Sequence, residues 1–142
     1  MSMSIFADIQ ADISELALSE TISTLSDLGW HVGDPAYLTD PDGEDEGDWT
    51  SVPPSAVEEL ATKLDNRRTI AGAILLDRNS DQSISILLDW TANLLWIEWM
   101  GDSRRNPSDE EIVSSEWPKY ETMKILNALG VTPNRMEFSM DQ

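Results

Sequence analysis

The sequence has no cysteine. That removes disulfides and thiolate chemistry and fits a cytosolic protein. Histidine is scarce too: His31 is the only one, so His-based metal sets and Ser-His-Asp triads lack material. Positive charge is the third shortage. Nine Lys plus Arg stand against 27 Asp plus Glu, a formal net charge of -18. Such a field repels nucleic acid and anionic membrane, and it draws in basic proteins. No apolar run nears the roughly 20 residues a membrane helix needs. The first residues, MSMSIFADIQADISE, lack a basic n-region, so no signal peptide is expected. Neither G-x-x-x-x-G-K-[ST] nor G-x-G-x-x-G occurs.

What remains is ordinary in bulk: 142 residues, 40% hydrophobic, which favours one domain over residues 1–142 with a single core. The chain is organised around Thr69–Met100. There Ile84, Ile86, Leu88 and Trp90 alternate with Ser83, Ser85, Leu87 and Asp89, the period of a strand with one buried face. Leu95, Ile97 and Trp99 alternate with Leu94, Trp96, Glu98 and Met100. If Thr91 and Ala92 form the turn, Leu88 faces Leu95, Ile86 faces Ile97 and Ile84 faces Trp99. A slip of one residue would set Ile86 against Glu98. With TIAGAILLD before them, residues 69–100 read as a three-stranded antiparallel meander.

Around that meander the signals are helical. Residues 4–13 fit either a strand or a helical stripe. Asp12 and Glu15 have capping-box spacing, and Leu18, Ile22, Leu25 and Leu28 share a face, so a helix is expected near 12–28, ending at Gly29. Trp30–Val32 reads as a short edge strand. Residues 33–54 carry four Pro and three Gly and read as a long loop. Ser55 and Glu58 form a second capping box before a helix near 55–65. Pro118 suits the first turn of a helix near 118–129, ended by Gly130 and Pro133. Met136, Phe138 and Met140 mark a closing strand over 134–140. The order implies an α+β fold.

No constellation carries catalysis. Paired carboxylates are everywhere in so acidic a chain, and their pairing therefore means nothing. The acidic run invites a calcium reading from Asp42 through Glu44 and Glu46, but position twelve is then Pro53 and not the bidentate Glu the site needs. No metal and no cofactor is expected. A solubilising loop is the plain alternative for this run. The sharper reading is a surface for Lys- and Arg-rich ligands, made by Asp42, Glu44, Asp45, Glu46 and Asp48 with Trp49 beside them. Such carboxylates can imitate a phosphate backbone in the basic cleft of a nucleic-acid enzyme. Six Trp point the same way, since Trp serves cores but is also enriched in binding hot spots. Trp90 and Trp99 are assigned to the core. Trp96 and Glu98 fall on the opposite face, which is either covered by a helix or available to a partner.

The stretch Trp49-Thr50-Ser51-Val52-Pro53-Pro54 ahead of a short helix, the central meander and the closing ILNALGVTPNRMEF together resemble one family. It is the bacterial immunity proteins encoded beside polymorphic toxins, especially those accompanying nucleic-acid deaminase toxins. The family's closing pattern of helix, Gly, Pro and aromatic strand is matched by Gly130, Pro133 and Phe138; the family often has Trp where this chain has Phe138. The likeness covers the last two thirds of the chain and contains no catalytic motif. It implies an inhibitor that binds a cognate toxin domain as a heterodimer and blocks its active site. Composition points to the same class: an acidic, Trp-rich binder that is not an enzyme and that touches neither nucleic acid nor membrane. A nucleic-acid mimic or adaptor for another basic protein is the alternative, and an acid hydrolase the more distant one.

Overall fold

The computed structural model describes residues 2–40, 48–79, 82–102 and 117–141. It is α+β: seven antiparallel strands form one sheet, with three helices packed against it. In chain order the elements are β1 (Ser2–Gln10), α1 (Leu18–Asp27), β2 (Trp30–Thr39), β3 (Trp49–Val52), α2 (Val57–Arg67), β4 (Ile70–Asp77), β5 (Ser83–Asp89), β6 (Leu94–Asp102), α3 (Trp117–Leu129) and β7 (Arg135–Asp141). Across the sheet the order is β3-β2-β4-β5-β6-β1-β7.

The meander is in the expected register. Leu88 lies opposite Leu95, Ile86 opposite Ile97 and Ile84 opposite Trp99, all six buried. The same row continues outward, since Ala73 faces Ile86 and Ala7 faces Ile97. One face of the sheet thus carries Ile, Leu and Ala from five strands. Burying each Ile or Leu contributes about 1.5–3 kcal/mol. Leu18, Leu25, Val57, Ala61, Leu64, Ile125 and Leu126 come down on that face from the three helices and join a single core cluster. Trp30 and Trp99 meet edge to face within it, with centroids 5.9 Å apart.

Several boundaries differ from the sequence reading. The first helix starts at Leu18 and not near residue 12. Asp12 closes a local turn instead, accepting hydrogen bonds from Ser14 N (3.0 Å) and Ser14 Oγ (2.7 Å). Those two bonds, the side-chain one first, hold its carboxyl below the usual Asp range. The cap of α1 comes from far along the chain: the Asp65 carboxylate on α2 accepts from the Leu18 and Ser19 N–H groups and from Ser19 Oγ (2.8 Å). No spacing within residues 12–20 could reveal a cap supplied from Asp65. The Ser55 capping box is likewise unused. A 3-10 turn over Pro54–Ala56 leads into α2, whose N-cap Ala56 makes no side-chain bond.

Residues 33–54 are not one loop. Strand β2 runs on to Thr39 and is interior, lying between β3 and β4, so it is not a short edge strand. Its irregular register between Val32 and Tyr37 hides the period of two. The Asp34–Pro35 peptide bond within that stretch is cis. β3 then pairs Trp49 with Thr39 and Val52 with Ala36. Residues 4–13, readable either way, are mostly strand: β1 inserts between β6 and β7 with Ile5, Ala7 and Ile9 inward.

The loop after β1 is pinned by Arg68. Its guanidinium donates to the carbonyls of Leu16 (2.6 Å) and Ser14, and it lies 4.7 Å from the Trp90 ring centroid. Trp90 Nε1 donates to the same Leu16 carbonyl (3.2 Å).

Candidate functional site

Antiparallel partners that lie directly opposite each other point to the same side of a sheet. Following the pairings from β3 gives one row: Trp49 opposite Thr39, then Gly72 opposite Leu87, Leu87 opposite Trp96, and Trp96 opposite Asp8. Thr39 and Gly72 join the two halves, since Gly72 N donates to Thr39 Oγ1 at 3.0 Å. The neighbouring row runs Ser51, Tyr37, Ile74, Ser85, Glu98 and Phe6. Both rows lie on the side away from the helices, because their sequence neighbours Leu38, Ala73, Ile86, Ile97 and Ala7 form the core.

This second face is unusually apolar for a surface. Tyr37 (43%), Trp49 (42%), Leu76 (40%) and Trp96 (39%) are among the exposed large hydrophobic side chains, and all four belong to it. Among the described residues no helix packs on it. A face of this kind marks an interaction site far more often than scattered single apolar residues do.

Between Trp49 and Trp96 the row holds Thr39, Gly72 and Leu87. Gly72 has no side chain, and Leu87 leans over it. A Cβ on Gly72 would sit 2.5 Å from Ile86 O and 2.8 Å from Leu87 Cδ1, so glycine is required for β4 and β5 to pair here. Thr39 is buried, with its hydroxyl engaged by Gly72.

Across β1 to β6 the charge of the face has one sign. Strands β1 to β6 contain no Lys or Arg. Asp8, Glu98 and Asp89 alternate with core residues and therefore point outward. Asp89 accepts from Thr91 N and Oγ. The one described arginine on the sheet is Arg135 of β7, paired with Glu137. His31 lies opposite Leu76 at the side of this face, half-buried, with a buried Nδ1 that has no hydrogen-bond partner among the described residues.

The proposed contact residues divide accordingly. Trp49, Trp96 and Glu98 are brought together on one face, and Asp48 is exposed just before Trp49. Asp42, Glu44, Asp45 and Glu46 lie outside the described residues. Tyr37 and Leu76 belong to the same surface and were missed: the irregularity in β2 hid the period around Tyr37, whereas Leu76 followed from the alternation of β4, opposite Ser83. Of the other tryptophans, Trp30 and Trp99 are core and Trp90 is half-buried against it. Among the described residues no group of His, Cys, Asp and Glu could hold a metal ion, and no helix is long and apolar enough to cross a membrane.

Neither protein-family models nor curated proteins match the chain. Among solved structures it is similar to the Pseudomonas aeruginosa T6SS protein PA0821, with a TM-score of 0.44 and 9% identity over 98% of this chain. The chain spans 41% of that protein's length. A likeness of this size carries no argument about function, which rests on the face itself.

Proposed function

We propose that the chain is an immunity-type inhibitor that binds a basic, nucleic-acid-modifying protein toxin, deaminase-type by family resemblance, and blocks its active site. One observation carries the reading. Trp49 and Trp96 share a cross-strand row on the face that no described helix covers, in a sheet whose first six strands hold no Lys or Arg. Aromatic anchors on an open apolar surface supply slow dissociation, and carboxylates of one sign supply fast encounter with a basic partner. A toxin that acts on nucleic acid needs a cationic cleft for phosphates, and it therefore offers the complementary surface.

On this reading the protein has no turnover of its own. It acts inside the cell that makes it, as a one-to-one heterodimer, and binds neither nucleic acid nor membrane directly. The same face would serve an adaptor for another basic protein, and the identity of the partner separates the two. The test is to look for a toxin gene beside this one, express the chain with its product, and ask for rescue of growth and a stable complex. Rescue with a one-to-one complex is expected. Growth arrest despite abundant folded protein would contradict the reading.

A further inference from the structure

We infer that the sheet face between Trp49 and Trp96 receives a basic amphipathic α-helix of the partner protein. This rests on the proposed function, and it names the element that would be bound. The first argument is backbone chemistry. β2, β4, β5 and β6 each have a strand on both sides, so the floor offers no free row of N–H and C=O groups. An extended segment laid there would leave its own backbone unsatisfied, whereas a helix satisfies its backbone internally.

The second argument is size. Four strand spacings separate Trp49 from Trp96, roughly 19 Å of sheet, which is the width of one helix of about 10–12 Å plus the two flanking rings. β5 runs Ser83–Asp89, and seven residues at about 3.4 Å match roughly 16 residues of helix. The sheet already accepts helices in this manner on its other side.

The third argument is complementarity. Leu87, Ile74 and Leu76 supply an apolar floor for a stripe at i, i+3, i+4 and i+7. Glu98 and Asp89 point out along that floor, with no Lys or Arg on β1 to β6 to oppose a cationic flank.

The test uses the full chain and a 16-residue peptide of Leu and Lys with Leu at helical spacing, titrated by calorimetry at 150 mM salt. A peptide of the same composition in shuffled order is the control. Ser85→Arg places a positive charge on the floor, opposite Ile74 and Glu98. Asn66→Arg adds the same charge on exposed α2, on the helix side. The expected result is binding of the striped peptide only, weakened about tenfold or more by Ser85→Arg and less than twofold by Asn66→Arg. Leu76→Arg replaces Ser85→Arg if the latter does not fold. No binding by the parent chain, equal binding of the shuffled peptide, or equal effects of the two charges would each overturn the inference. A parent dimer that Ser85→Arg dissociates would assign the face to a second copy and overturn it too. If the toxin complex forms as well with Ser85→Arg as with the parent, the inhibitor reading stands and the helix inference falls; if no toxin complex forms at all, the inhibitor reading falls first.

Discussion

Trp49 and Trp96 point out from the same side of the sheet, in one cross-strand row, with Thr39, Gly72 and Leu87 between them. Their strands are far apart in the chain, and the alignment depends on β4 and β5 meeting closely at Gly72.

That close approach gives a stability prediction. Gly72→Ala drives a Cβ to 2.5 Å from the Ile86 carbonyl oxygen, a backbone atom that cannot swing away. The strands must separate or shift, at a cost of about 1–3 kcal/mol. Urea denaturation reads it directly. Unchanged stability would mean that the β4–β5 pairing is looser than described.

The register of the meander is tested by neighbouring lysines. Ile86→Lys buries an unpaired ammonium in the core opposite Ile97 and should cost more than about 4 kcal/mol, unfolding the chain. Ser85→Lys faces Glu98 on the open side and should change stability by less than about 1 kcal/mol. Similar losses from the two would contradict the alternation.

Arg68 separates two effects at one position. It ends α2 in the left-handed region, with φ 56°, while its side chain clamps the Ser14 and Leu16 carbonyls. Arg68→Ala loses the clamp and keeps the backbone strain; Arg68→Gly loses the clamp and relieves it. Both should destabilise, with Ala worse than Gly by about 1 kcal/mol. Equal midpoints in thermal unfolding would show that the left-handed residue carries no cost.

Much of the fold was legible in the sequence, for reasons that differ from element to element. The β5–β6 register could be read because only one alignment keeps Ile84, Ile86 and Leu88 inward together. The start of α1 could not be read, because its cap is Asp65, supplied by another helix. β2 was unreadable past Val32, since the irregular stretch Gly33–Pro35 breaks the period on which Tyr37 and Leu38 would otherwise report. For the site, Trp96 and Glu98 followed from alternation alone. Their union with Trp49 did not, because residues 33–54 read as a loop, which hid β3 and its pairing with β2 beside β4.

The acidic run makes a kinetic prediction. Neutralising Asp42, Glu44, Asp45, Glu46 and Asp48 to Asn or Gln should slow association with the toxin and flatten its salt dependence, with little change in dissociation. His31→Ala, by contrast, should leave protection intact. Stopped-flow binding across a salt series checks the first, and growth rescue the second. An unchanged association rate with the same salt slope would reduce the run to a solubilising loop.

The central claim is that the sheet face carrying Trp49 and Trp96 holds the toxin. The most direct measurement is the dissociation rate of the toxin complex formed by the Trp49→Ala/Trp96→Ala double variant. Both side chains are about two-fifths exposed, so the free protein should keep its unfolding midpoint within a few degrees. Loss of two aromatic anchors of about 2 kcal/mol or more each should speed dissociation by at least a hundredfold and abolish rescue of growth. A complex that dissociates at the parent rate, from a variant that is fully folded, would place the contact surface elsewhere and contradict the account.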